Sequence, residues 1–218
     1  MSEPQPREPF GCLAWSVIGI GVVLGVALLL PLMGIVSKVG EQIKAVSNCR
    51  QIILSIKQYA AKHQSEHPDS FIMEGTGVRR TSNAAFRKLI EEKVVMEERI
   101  FGCPKSPYVP DSNIGIAPSF SEALKPGECH WMMVAGLNDD SAGNLPLVFE
   151  NTLRVEWPLR WMVEKPGEAV RGRVWKGREI IVGRQDGGAE VYDLRADGTA
   201  IFTNLDDSKP LPVLDIEE

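Results

Sequence analysis

The chain has 218 residues, a formal charge of −5 and no long basic run, which excludes the basic, aromatic-interleaved face that nucleic-acid binding requires. Its four cysteines, Cys12, Cys49, Cys103 and Cys129, form no Cys-x-x-Cys pair, so a zinc-finger spacing is absent as well. Beyond an apolar N-terminal stretch, about 180 residues remain, enough for one domain with a substantial core.

Residues 1–12 form a polar, proline-containing tail. The stretch Leu13 to Val36 then runs without a charged side chain. As a helix of about 24 residues it would extend roughly 36 Å, against a bilayer core of about 30 Å. Its length exceeds a signal-peptide apolar region and no Ala-x-Ala exit follows, so a retained transmembrane helix over 13–36 is expected. Gly21 and Gly25 make a Gly-x-x-x-Gly within it, a weak signal for helix association.

The helical pattern continues past Val36. Ile43, Val46, Cys49, Ile53, Ile56 and Ala60 recur at three- and four-residue spacing, with polar residues between them, until Pro68. Residues 37–67 therefore read as an amphipathic stem, continuous with the apolar helix and ending near Gln64.

A globular α+β domain is expected over 68–205, followed by an acidic tail, 206–218. A second amphipathic helix starts near Ser82, with Ser82 or Asn83 as its N-cap and Phe86, Leu89, Ile90 and Val94 on one face. Four prolines between Pro104 and Pro118 predict an irregular stretch. Strands are expected over His130–Ala135, Leu145–Glu150, Glu179–Gly183, Glu190–Leu194 and Thr199–Thr203, the last three separated by Asp-Gly turns. Helices followed by strands favour a small antiparallel sheet packed on the long helix.

Candidate chemistry is sparse. Cys129 and His130 are neighbours, but adjacent strand residues point to opposite faces and cannot form a dyad. His63 and His67 are four apart, a metal pair if the helix reaches them and two exposed histidines at its fraying end otherwise. Asp139, Asp140 and Asn144 could offer oxygens to calcium, though their loop is also ordinary turn composition. Trp131, Trp157, Trp161 and Trp175 fit a core between sheet and helix better than a ligand face. In an oxidising space Cys103 and Cys129 could form a disulfide; otherwise they are two buried thiols. No enzyme activity, cofactor or metal is expected.

Four segments in order resemble type IV pilins and type II secretion pseudopilins. They are Phe10 with the Leu-Leu-Pro-containing run Ala27–Val39, the stem SNCRQIILSIKQYAAKH from Ser47 to His63, FGCPKSP from Phe101 to Pro107, and GREIIVGRQDGGAEVY from Gly177 to Tyr192. In the last, Asp186 and Gly187 fill the closing Asp-Gly. The resemblance implies a pilin-like fold, a single-pass bacterial inner-membrane protein with a periplasmic C-terminal domain, and a structural role in a type II secretion or type IV pilus-like assembly. Its partners would be membrane lipid and other pilin-like subunits or secretion-system proteins, reached through the N-terminal helix. The basic residues Lys38, Lys44 and Arg50, against Arg7 before the helix, argue for the opposite orientation; the resemblance is followed.

Three departures bear on assembly. With Phe10 as the first mature residue of a prepilin signal, Pro9 stands where that signal has Gly and Ala14 where it has Glu. Lys176 stands where one subgroup has a His before its Asp-Gly. The alternative expectation is a free-standing membrane-anchored periplasmic domain with the same fold that does not polymerise.

Overall fold

The computed structural model describes residues 10–71, 80–202 and 210–218; within α1 it describes the side chains of 11, 15, 17–20, 23 and 39–62. The order of elements is α1 (Phe10–Lys62), α2 (Ser82–Glu91), β1 (Trp131–Val134), β2 (Pro146–Glu150), β3 (Glu179–Arg184), β4 (Ala189–Asp193) and β5 (Val213–Leu214). The chain divides into two compact units, Met1–Gln42 and Ile43–Glu218. In the first, the backbone described is that of α1, and Trp15, Val17, Ile18, Ile20 and Val23 expose their side chains.

The second unit is an α+β body. Its five strands form one antiparallel sheet in the order β4-β3-β2-β1-β5. The α1 stripe expected from spacing is the buried one: Cys49, Ile52, Ile53, Ile56, Tyr59 and Ala60 are almost fully enclosed. This stripe rests on β2 and β3, where Cys49 Sγ lies 3.8 Å from the Val148 carbonyl. Contact is closest at Gly183, where a Cβ would fall 2.2 Å from Ile53 Cδ1 and 2.7 Å from Cys49 Sγ. Because strand side chains alternate, Val148 and Glu150 share the α1 side of β2 while Phe149 turns to the opposite face. There Trp161 meets Phe149 edge-on at 6.3 Å. Trp131, Trp161 and Trp175 are all core residues, and Trp157 is partly buried against them.

The fold-class expectation is corrected on its membrane half. Among the described residues, no helix is long and apolar enough to cross a membrane. From Val39 to Lys62, where the side chains of α1 are described continuously, Glu41, Lys44, Arg50, Lys57 and Lys62 recur. These charges belong to the stem expected over 37–67. Most side chains of the expected 13–36 span lie outside the described residues. The inner-membrane location goes with the span, and so does a pilin-like class defined by a membrane-rooted helix.

Local details differ from expectation for identifiable reasons. α1 ends at Lys62, before Gln64 and Ser65 take left-handed φ of 55° and 67°. The cap of α2 is Thr81, whose Oγ1 accepts from Ala84 N at 3.1 Å; Ser82 Oγ instead donates to the Leu214 carbonyl at 2.9 Å. The strand expected from Thr199 does not form. Thr199 and Ala200 make only isolated bridges, to Arg160 and Leu194, beside the turn that returns Arg195 N to the Thr199 carbonyl at 2.9 Å. The expected strand reaches Thr203, which lies outside the described residues. The Asp186-Gly187 hairpin is present: Gly187 sits at φ 92° and Asp186 Oδ1 accepts from Gly188 N at 2.8 Å. The last described residues of the acidic tail are pinned. Arg171 pairs with Asp215 at 2.6 Å and Glu218 at 2.9 Å, and Tyr108 Oη donates to Glu218 at 2.6 Å.

Gly183 therefore tests the helix–sheet contact. Gly183→Ala is expected to cost about 1–3 kcal/mol by overpacking Ile53 and Cys49. Equilibrium urea unfolding measures the loss. Gly127→Ala, at φ 86° with open space around its Cβ, separates packing from backbone strain.

Candidate functional site

The sheet and its loops bring together one buried polar cluster. Glu150 ends β2, His130 immediately precedes β1, and Cys103 and Ser106 lie on the proline-rich loop after a 3₁₀ turn at Arg99–Phe101. Arg173 and Trp175 come from the irregular excursion between β2 and β3. Glu150, His130 and Arg173 are 0–1% exposed, and Cys103 and Ser106 are 8% and 7% exposed.

The Glu150 carboxylate is the centre of this cluster. Its Oε1 accepts from Trp175 Nε1 at 3.1 Å, Arg173 Nη2 at 3.4 Å and Cys103 Sγ at 3.5 Å. Its Oε2 accepts from Ile181 N at 3.3 Å. Arg173 Nη2 also lies 3.1 Å from Cys103 Sγ, and its guanidinium stacks over Trp175 at 4.3 Å. The ion pair to Glu150 balances the buried cation, as burial of a charge requires.

His130 is held by its other nitrogen. Nδ1 lies 2.8 Å from Ser106 Oγ and 2.9 Å from Asn151 Nδ2. The Asn151 orientation is fixed, because its Oδ1 accepts from Gly172 N at 2.7 Å. Nδ1 thus acts as acceptor here, which leaves the proton on Nε2, facing Glu150 Oε1 at 3.5 Å. Burial pushes the His130 pKa down, so the ring is neutral, and burial pushes the Cys103 thiol well up.

Ser106, His130 and Glu150 thus fall in the order of a nucleophile, base and orienting acid. The arrangement does not present a nucleophile to substrate. Ser106 is enclosed, its oxygen already accepts from Tyr108 N at 3.0 Å, and Glu150 is committed to Arg173. Only Cys103 reaches an opening. It lines a groove of about 480 Å³ together with Lys44, Asn48, Gln51, Arg99 and Tyr108.

The disulfide expected between Cys103 and Cys129 is not formed. Cys49, Cys103 and Cys129 are all free and buried. Cys103 faces Glu150 and Arg173, whereas Cys129 Sγ turns to the Trp131 carbonyl at 3.3 Å. Of the signal positions, Pro9 lies outside the described residues, and Phe10 and Ala14 fall within α1 without described side chains. The calcium loop is otherwise engaged: Asp139 pairs with Lys57 at 2.6 Å. Glu98, Asp111 and Glu128 form a second acidic group, but both Glu98 oxygens are taken by Ser112 N and Leu124 N.

His63 and His67 do not converge, because the helix ends before either. His63 stacks on Tyr59 with centroids 4.0 Å apart, while His67 is fully buried with neither ring nitrogen hydrogen-bonded. Sequence reasoning passed over Glu150, Arg173, Ser106 and Asn151. A glutamate at the end of an apolar strand, LPLVFE, is the one local signal that could have drawn attention there.

Compared with known proteins, the chain matches no family model, no curated protein and no solved structure.

Two measurements test this geometry. Glu150→Ala strands the Arg173 charge in the core and is expected to cost about 3–5 kcal/mol, whereas Glu150→Leu combined with Arg173→Met should recover most of that loss in urea unfolding. For His67, burial lowers the pKa from 6.5 to about 4. The unfolded chain therefore takes up this proton first as pH falls. Stability is full above about pH 6.5 and declines toward pH 4, by no more than about 3 kcal/mol. Unfolding curves across that window should lose this slope in His67→Leu.

Proposed function

We propose that this chain is a non-enzymatic structural protein that assembles through α1 with further helix-bearing subunits. The observation that carries this reading is the apolar surface of that helix. In the first unit Trp15, Val17, Ile18, Ile20 and Val23 are 55–74% exposed; in the second, Ile43 and Leu54 are 63% and 48% exposed. Scattered apolar residues on a surface need no explanation, but a run along one helix does. Each such side chain covered by a neighbour contributes about 25 cal/mol per Å² of apolar area.

The occupant best suited to that surface is another copy of the same helix. Gly21 and Gly25 let two backbones approach, and a like helix offers matching apolar area. The resemblance to pilins and pseudopilins supports the same reading, with a type II secretion or pilus-like assembly as the setting. The sealed Ser106–His130–Glu150 array supports a non-catalytic body. A second reading, a body that does not polymerise, draws on Pro9 and Ala14 at the signal positions.

Sedimentation of the full chain separates the two. Concentration-dependent oligomers are expected, and they should dissociate in Val17→Glu/Ile20→Glu with the far-ultraviolet circular dichroism retained. A monomer at every concentration would overturn the assembly reading.

A further inference from the structure

We propose that Cys103, His130 and Glu150 form a binding site for one thiophilic divalent cation of the Zn²⁺ class. A thiol sulfur, an imidazole nitrogen and a carboxylate oxygen from three separate segments lie within 4.8 Å of one another, and all three residues are buried. Both Cys103 Sγ and His130 Nε2 are 3.5 Å from Glu150 Oε1. A tetrahedral ion about 2.0–2.3 Å from mixed S, N and O ligands sets its ligand atoms about 3.4–3.6 Å apart. The two distances to Glu150 Oε1 already match that spacing, and the third pair lies within 4.8 Å.

An independent observation is the state of His130 Nε2. It is fully buried and aimed into the cluster, and its 3.5 Å contact with Glu150 Oε1 lacks the geometry of a hydrogen bond. A buried polar atom left in this condition carries a desolvation cost that a metal bond removes.

The surrounding groups fit an outer shell. Ligating histidines hold their second nitrogen against an acceptor, and Ser106 Oγ stands 2.8 Å from His130 Nδ1. A metal bond at Nε2 needs the ring proton on Nδ1, with Ser106 Oγ as its acceptor; the Asn151 amide, which donates to Nδ1 in the metal-free site, must then turn away from Nδ1 toward the His130 carbonyl, now 3.0 Å from its Nδ2. Arg173 Nη2, 3.1 Å from Cys103 Sγ, then donates to a thiolate rather than a thiol, a stronger charge-assisted bond. Trp175 Nε1 donates to the ligating Glu150 oxygen at 3.1 Å. The thiol proton is the one released to solvent, so binding is Zn²⁺ + Cys103–SH → (Zn–S–Cys103)⁺ + H⁺. The groove that Cys103 lines supplies the entry path, and three protein ligands leave the fourth position for water.

The test uses the full chain, reduced and stripped with chelator. Titration with Co²⁺ should give a thiolate-to-cobalt charge-transfer band and tetrahedral d–d bands, saturating at one ion per chain and displaced by Zn²⁺. Cys103→Ser should abolish the charge-transfer band, and His130→Gln should weaken binding at least tenfold. Cys49→Ser and Cys129→Ser should leave the spectrum unchanged. Absence of a thiolate–cobalt band in the unaltered chain overturns the proposal without recourse to a variant. Its persistence in Cys103→Ser does so equally.

Discussion

The buried carboxylate of Glu150 is the constraint on which the body depends. An ionised acid in a core is tolerated only when its charge is matched and its lone pairs are occupied. Here the match is Arg173, and the lone pairs are filled by Trp175, Cys103 and the backbone of Ile181. Those donors come from the proline-rich loop, from the excursion between β2 and β3, and from β3 itself. One side chain at the end of one strand therefore fixes the course of two long irregular segments that have no ladder of their own. The carbonyl of the same residue accepts from Trp161 Nε1 at 3.1 Å, which ties the opposite face of the sheet to the same point.

This arrangement explains how so much irregular chain can be ordered. Loops longer than a dozen residues usually carry their backbone groups to water. In this body they are anchored by side chains instead. Gly102 is the clearest case, its carbonyl receiving Asn48 Nδ2 at 3.0 Å from α1 and Trp131 Nε1 at 3.4 Å from β1. The loop is thereby clamped between helix and sheet one residue before Cys103, which sets that residue in the lining of the groove. A fold stabilised this way trades generic apolar packing for specific polar contacts, so its failures upon mutation should be abrupt at a few residues and mild elsewhere.

Much of the body was legible in the sequence, for a physical reason. Periodicity encodes which side of an element is buried, and the α1 stripe through Cys49, Ile53 and Ile56 is the stripe that packs on Gly183. The first four strands and the Asp186-Gly187 hairpin were likewise visible, since alternation and φ > 0 turns are local properties. Long-range polar pairing has no local signature. Glu150 and Arg173 lie 23 residues apart, and Cys103 and Arg173 lie 70 apart. The disulfide expectation failed for that reason: the residues that surround each thiol decide its partner, and spacing does not reveal them. The membrane expectation rested on the uncharged run 13–36, and among the described residues no helix is long and apolar enough to cross a membrane.

The same helix is asked to satisfy two surfaces of different chemistry, and this ties the two halves of the functional reading together. On the body side, Cys49 and Ile53 are held within a glycine's width of β3, so α1 has no freedom to rotate there without losing that packing. Its exposed residues are consequently fixed in azimuth along the second unit: Ile43 and Leu54 cannot turn inward to hide. Among the described residues, nothing covers that outward side. The tighter the Gly183 contact, the more firmly Ile43 and Leu54 are held outward, and relaxing that contact should loosen their orientation.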